Sequence, residues 1–235
     1  MRNKDTKMKN LAILAPKITT IPIVGSSDSF PVRRIYCIGR NYADHTIEMG
    51  GNPDRESPFF FQKNSNNADA SGEFPYPTET NDVHYEVELT IALKSGGKNI
   101  TEENANSHIF GYAVGLDMTR RDLQSEMKAL RRPWEIGKSF ERSAPIGEIT
   151  RFEEVGYMDS GLIELKVNGN VKQTGDLNQM IWKVPEIIAY LSRFYDIDGG
   201  DLIMSGTPAG VGPVVKGDQI VASVKDLPDL KILVV

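Results

Sequence analysis

Glu86, Glu88 and Asp117 are the residues of this chain best placed to do chemistry. In a strand alternate side chains share a face, so Glu86-Val87-Glu88 points two carboxylates one way with Val87 packed behind them. Asp117 ends the apolar run from Gly111 to Leu116, which reads as a second buried strand. Three carboxylates brought together without a matching cluster of Lys or Arg repel one another unless a cation holds them. Oxygen-only donors select a hard divalent ion, Mg²⁺ or Mn²⁺, over zinc or copper. Alone, a Glu-x-Glu on an antiparallel strand is usually a solvated face; Asp117 turns the reading toward a metal site.

His45 and Glu48 are three apart, close enough to touch on one helix face. A carboxylate on one ring nitrogen orients the imidazole and leaves the other nitrogen to take a proton from water. The alternative is an exposed ion pair on a surface helix. His84 and His108 lack such a partner in sequence and read as structural, although His84 stands two before Glu86. The Gly-rich segment from Ser205 to Pro213 is neither a phosphate loop nor a dinucleotide fingerprint. It is either a plain Gly/Pro turn or a cradle in which Thr207 and backbone N–H groups hold a carboxylate. Cations follow the chemical candidates along the chain: Lys63 after three phenylalanines, Arg120 and Arg121 after Asp117, and Lys138 beyond Trp134.

The elements that must position these groups are mostly strands. Apolar or alternating runs predict strands over 35–38, 59–62, 84–93, 111–116, 162–167, 201–205 and 219–224, with an Asn168-Gly169 hairpin turn. Helices are expected over 42–49, 122–130 and 184–194. Few strands alternate with helices, so a β-rich α+β fold is expected rather than a doubly wound one. Residues 1–32 read as a partly mobile N-terminal tail and leading segment, and 33–235 as a single catalytic domain. With 235 residues, 40% hydrophobic and 25% charged, the chain can bury a substantial core, and its net charge of −5 argues against nucleic acid as a partner. The single cysteine, Cys37, lies in an apolar run and reads as a buried structural thiol in a reducing compartment. Arg2, Lys4, Lys7 and Lys9 precede a short apolar stretch that Pro16 and Lys17 cut off. We therefore expect no signal peptide, no membrane partner and a cytoplasmic protein.

Six separated segments resemble the fumarylacetoacetate hydrolase superfamily: GRNYADH (39–45), YEVEL (85–89), GYAVGLDMTRRDLQ (111–124), PWEIGKSF (133–140), LKVNG (165–169) and GDLIMSGTPAGVGP (200–213). Within it, residues 30–45 and 176–194 resemble the small bacterial fumarylpyruvate hydrolases, with acylpyruvases close behind. The resemblance implies a mixed β-sandwich roll with few peripheral helices, a homodimer and a role in aromatic catabolism. It also implies a Mg²⁺ or Mn²⁺ ion on Glu86, Glu88 and Asp117, and a catalytic His45–Glu48 pair on a lid. Arg121, Gln124 and Thr207 take the family's substrate-contacting positions, and Lys138 the position that holds developing negative charge. Asn64 to Asn67 depart from the family pattern after Lys63, so Lys63 is given no role.

The implied reaction is hydrolysis of the C–C bond of a 3-acylpyruvate, a 2,4-diketo acid. Fumarylpyruvate is the expected substrate, giving fumarate and pyruvate. Its second carboxylate needs a distal cation, for which Arg40, Arg131 and Arg132 are the candidates. The alternatives are an oxaloacetate decarboxylase or 2-oxo acid tautomerase on the same fold, or a non-catalytic protein stapled by its metal.

Overall fold

Four of the strands carry almost unbroken apolar runs, and a sheet built from such strands has to be covered on both faces. The computed structural model describes residues 11–50 and 56–235 and has that arrangement. A six-stranded sheet runs in the order Thr150–Arg151, Ile109–Leu116, Val87–Leu93, Asp201–Met204, Arg34–Gly39, Phe59–Lys63. Its pairings are antiparallel except where Asp201–Met204 lies parallel to Arg34–Gly39. One face, with Tyr36, Ile38, Leu89, Ile91 and Val114, packs into the larger core cluster. The other, with Ile35, Cys37, Ala92, Ala113 and Leu202, packs into a second cluster.

A five-stranded sheet supplies the facing half of the larger core, in the order Asn170–Asp176, Leu162–Val167, Gln219–Val224, Leu230–Val234, Glu73–Phe74. Here burial alternates along Leu162–Val167 and Gln219–Val224, as in a sheet with one wet face. Asn168 (φ 51°) and Gly169 (φ 79°) are both left-handed, and Val167 pairs with Asn170 across them. That is the type I′ hairpin expected of Asn-Gly. The result is the β-rich α+β fold that the pattern predicts, with the two sheets facing each other as the family resemblance implies. Helices are short: the longest among the described residues, Arg121–Ala129, has nine residues. None of the described helices is long and apolar enough to cross a membrane.

Two expectations change. The run 84–93 is not one strand: Val83–Tyr85 joins a separate three-stranded sheet with Thr119–Arg120 and Gly212–Pro213, and Val87–Leu93 begins after Glu86. The leading segment also contains regular structure. Thr20–Pro22 and Ser29–Pro31 pair antiparallel, and Ile21, Ile23, Phe30 and Val32 all enter the second core cluster. Strands of three residues are too short to show a period, which is why the sequence reads as unpatterned there. Arg2, Lys4, Lys7, Lys9 and Gly51 lie outside the described residues.

Ile91 is fully buried between Tyr112 and Ile203 on the neighbouring strands, whereas Leu162 is half exposed. Ile91→Ala is expected to cost about 2–5 kcal/mol. Leu162→Ala should stay within about 0.5 kcal/mol. Urea unfolding of the two variants side by side checks the difference; equal midpoints would show that this sheet is not the core.

Candidate active site

Strand register brings the three carboxylates together. Val87 lies opposite Leu116, and Glu88 opposite Gly115, on antiparallel neighbours. One step further along, the Asp117 N–H donates to the Glu86 carbonyl at 2.9 Å, so these two residues oppose each other where the ladder ends. Carboxylate oxygens of Glu86, Glu88 and Asp117 lie within 4.8 Å of one another. All three residues are buried, at 4%, 2% and 1% exposure. The chain turns from one sheet to the next at Glu86, and the Val87 N–H donates to Gln173 Oε1 at 3.0 Å. The Gln173 amide in turn donates to Thr207 Oγ1 and the Pro208 carbonyl, both at 2.8 Å.

Contrary to the sequence expectation, cations do surround the cluster. Lys138 Nζ lies 2.8 Å from Glu86 Oε2, 2.8 Å from Asp117 Oδ2 and 2.7 Å from Thr119 Oγ1. Its three donors are thereby all engaged, so Lys138 holds the carboxylates in place. Lys63 Nζ pairs with Asp117 Oδ1 at 2.8 Å and donates to the carbonyls of Met118 and Lys138. The Arg121 guanidinium pairs with Glu86 Oε1 and donates to Gln124 Oε1 at 2.6 Å. Burial opposes the charge on Glu86, but Lys138 and Arg121 beside it hold its carboxyl below the usual range. Lys138 stays protonated for the reciprocal reason: burial lowers its pKa, and Asp117 and Glu86 more than restore it.

Glu88 is different. It accepts the Gly206 N–H at Oε2 (2.8 Å) but pairs with no Lys or Arg among the described residues. Burial, then the charges of Asp117 and Glu86, push its carboxyl well above the ordinary range. Among the described residues, Glu88 is thus the one acid of the cluster without a cation of its own. Carboxylate oxygens retain lone pairs beyond those taken by Lys63, Lys138 and Arg121, so the donor set fits a hard divalent ion.

On the other side of the cleft, the six-residue helix Ala43–Glu48 carries the dyad. His45 Nδ1 lies 3.1 Å from Glu48 Oε2, and Glu48 also accepts the Gly210 N–H at 3.0 and 3.2 Å. Since an ionised Glu48 can only accept, Nδ1 carries the hydrogen, and in the neutral imidazole Nε2 is the nitrogen with the lone pair. His45 is buried and lines the same cleft as Glu86, Glu88 and Asp117, which is not the geometry of a surface ion pair. The cleft encloses about 460 Å³, counting open solvent at its mouth, and Arg121, Gln124, Lys138 and Thr207 line it too. Of the nine predicted site residues only Glu48 is set back, behind His45.

The Gly-rich loop acts as the cradle reading anticipates, on the protein's own carboxylates: Gly206 holds Glu88 and Gly210 holds Glu48. A Cβ on Gly210 would stand 2.2 Å from the Lys172 carbonyl oxygen, and its φ is +98°. Sequence reasoning missed Lys63, whose signal was present, because Phe59, Phe61 and Lys63 share a strand face and both phenylalanines line the cleft. It also left His84 without a partner, whereas His84 Nε2 meets Asp82 Oδ1 at 2.9 Å and Nδ1 accepts from Arg121 Nε at 3.3 Å. Gln173 carried no local signal. Of the candidates for a distal cation, Arg40 lines the cleft, and Arg131 and Arg132 do not.

Stability should report the unbalanced carboxylate. Glu88 has a raised pKa in the folded chain, so its contribution to stability is present below the ordinary carboxylate pKa and lost as pH rises through the raised value. Glu86, with a lowered pKa, loses its contribution only as pH falls through that lowered value. After chelation, Glu88→Gln is therefore expected to melt about 2–4 °C above the unsubstituted protein at pH 8, for roughly 1 kcal/mol. The gap should close toward pH 4.5. Added Mn²⁺ should raise the melting temperature of the unsubstituted protein and hardly move the variant; parallel melting curves across pH and metal would remove Glu88 from the site.

Comparison with known proteins accords with this geometry. The model of the fumarylacetoacetate (FAA) hydrolase C-terminal family matches residues 34–235. A fumarylpyruvate hydrolase of a Ralstonia species is 42% identical over 180 residues, covering 76% of this chain and 93% of that one. An oxaloacetate tautomerase of Escherichia coli strain K12 is 37% identical over 197 residues, covering 83% and 90%. The crystal structure of fumarylpyruvate hydrolase from Pseudomonas aeruginosa in complex with Mn²⁺ and pyruvate superimposes with a TM-score of 0.94 at 46% identity, covering 96% of this chain and 99% of that chain. The buried carboxylate triad, the dyad facing it and the sheet that holds them are thus those of a chain that belongs to the fumarylacetoacetate hydrolase family.

Proposed function

We propose that this protein is a metal-dependent C–C hydrolase of 3-acylpyruvates that cleaves fumarylpyruvate to fumarate and pyruvate. The observation that carries the reading is a buried carboxylate triad and a carboxylate-oriented imidazole opening on one cleft. Identity to the fumarylpyruvate hydrolases of Ralstonia and Pseudomonas aeruginosa supports the choice of substrate. The ion would be Mg²⁺ or Mn²⁺ on Glu86, Glu88 and Asp117; the Pseudomonas relative holds Mn²⁺ with pyruvate. Such an ion supplies Lewis-acid stabilisation of negative charge on the 2-oxo oxygen.

The chain's own residues do the rest. Arg121 donates to Gln124 Oε1, which leaves the Gln124 amide hydrogens free to meet a carboxylate. Thr207 accepts from Gln173, which leaves its hydroxyl hydrogen to donate into the cleft. These two donors fix the pyruvoyl end. His45 Nε2 takes a proton from water, and Glu48, held by Gly210, stabilises the imidazolium that forms. The hydroxide adds to the distal carbonyl carbon, the C–C bond breaks toward the pyruvoyl side, and the departing enolate carbon receives a proton from His45. Water is consumed, and one acid and one 2-oxo acid leave.

A second reading has a specific observation behind it, since the chain is also 37% identical to an oxaloacetate tautomerase. Decarboxylation needs the 2-oxo acid grip but no attacking water, so it should survive loss of His45 better than hydrolysis does. Tautomerisation moves a proton without consuming water and is told apart by its products. With Mg²⁺ or Mn²⁺ present, the purified protein should turn over fumarylpyruvate faster than oxaloacetate in a spectrophotometric assay. His45→Ala should lower kcat for fumarylpyruvate by about 10²–10⁴ while calorimetry still records pyruvate binding. Near-native turnover by that variant, or activity confined to oxaloacetate, would overturn the proposal.

A further inference from the structure

Beyond the triad, the helix Arg121–Ala129 continues along the cleft wall and presents Arg121, Gln124 and Lys128 to it. Their spacing of three and seven keeps them on one face, and seven residues of helix rise about 10 Å. Arg121 and Gln124 are committed to each other and to Glu86. Lys128 is half-buried and has no carboxylate partner among the described residues. Arg40 lines the same cleft, held at φ 56° after the strand Arg34–Gly39, with its guanidinium carbon 5.8 Å from the centre of the Phe59 ring. Arg40 likewise pairs with no carboxylate among the described residues. Burial and then the charges of Arg40 and Arg121 lower the Lys128 pKa, as happens when cations gather without a counter-charge. Phe59 and Trp134, packed edge to face at 5.4 Å, form an apolar flank of the same cleft.

The cleft therefore has two unlike ends: buried carboxylates suited to a metal ion, and an unbalanced pair of cations on the wall beyond them. We infer that Lys128 and Arg40 receive a second carboxylate at the far end of the substrate, and so select dicarboxylic acylpyruvates over monocarboxylic ones. The inference rests on the acylpyruvate hydrolase reading. A seven-carbon diketo diacid is about as long as two extended residues, roughly 7 Å. That length, with the reach of a lysine side chain, matches the step from Arg121 to Lys128. A flat, unsaturated acyl chain suits the Phe59–Trp134 flank. A protein whose net charge is −5 does not attract a dianion through its average field, so two unpaired cations at the cleft give the local field that does.

The test compares kcat/KM for fumarylpyruvate and for acetylpyruvate, which lacks the distal carboxylate. The ratio should fall tenfold or more in Lys128→Gln and in Arg40→Gln, mainly through KM for fumarylpyruvate, and Lys128→Arg should restore much of it. A ratio within twofold of the unsubstituted protein in both glutamine variants overturns the distal site while leaving the hydrolase reading intact. Calorimetry on the Mn²⁺-loaded protein gives a readout free of turnover, with fumarate expected to bind more tightly than crotonate and the preference to vanish in Lys128→Gln. An unsubstituted protein that turns over neither acylpyruvate yet keeps that Lys128-dependent preference would defeat the hydrolase reading and leave the anion site standing. Equal binding of fumarate and crotonate would remove the site.

Discussion

Burial of three carboxylates within one strand crossing is the constraint on which the rest of this structure depends. Antiparallel register sets Glu86 beside Asp117 and Glu88 one pair further in, so backbone hydrogen bonding fixes where the acids meet. Taking one carboxylate out of water costs on the order of several kcal/mol, even after relaxation. The chain offsets this with Lys63 on Asp117, Lys138 between Asp117 and Glu86, and Arg121 on Glu86. Those cations come from three separate elements, so the burial of Glu86 and Asp117 depends on the strand Phe59–Lys63 and the helices Arg121–Ala129 and Glu135–Lys138 docking together. The offset stops short of Glu88, which keeps only a backbone N–H. The three cations match the three acids in number but all fall on Glu86 and Asp117, so Glu88 is the carboxylate left open to an added ion.

The same economy of charge shapes the cleft around the cluster. Arg121 faces both ways, toward Glu86 through one nitrogen and toward Gln124 through another, with His84 accepting from its Nε. That last bond needs a neutral His84 with its hydrogen on Nε2, the tautomer that Asp82 selects. Burial and Arg121 lower the His84 pKa in the same direction. Farther along, Lys128 and Arg40 have no such partners. Among the described residues, one cavity is thus lined by a carboxylate without a cation, Glu88, and by two cations without a carboxylate, Lys128 and Arg40. A ligand with a 2-oxo acid at one end and an anion at the other complements both.

Much of this was legible in the sequence where the determinants are local. Glu86-Val87-Glu88, Asp117 at the end of an apolar run, and His45 three before Glu48 are each marked by neighbours within a few residues. Spacing therefore reveals them even though Glu86 and Asp117 fall just outside their strands. The Asn168-Gly169 turn was equally legible, because its two left-handed residues are a local steric requirement. What escaped is non-local. Gln173 reaches Val87 and Thr207 from a strand of the other sheet. Asp201 draws in Arg33 across more than a hundred and sixty residues. Lys63 sits on a face shared with Phe59 and Phe61, but only the fold shows that this face meets Asp117. The strand break at Glu86 was hidden because a continuous apolar-flanked run does not reveal a change of sheet.

One loop joins the two halves of the chemistry. After the strand Asp201–Met204, the Gly206 N–H binds Glu88 of the triad and, four residues on, the Gly210 N–H binds Glu48 of the dyad. Asn41 closes the circle, donating to the Ser205 carbonyl at 2.8 Å and accepting the Trp182 N–H at 2.7 Å, just before the helix that bears His45. Both glycines have positive φ and both stand too close to neighbours for a side chain: a Cβ on Gly206 would lie 2.7 Å from the Asn41 Cβ. The short helix Ala43–Glu48 has no side-chain cap at its N-terminus and gains little from its own length. Its position relative to the triad is set instead by the grip of the loop on Glu48 and by Asn41. An active site that must bring water to one end of a bond and stabilise charge at the other needs that separation held constant. In this chain, two backbone N–H groups four residues apart hold it.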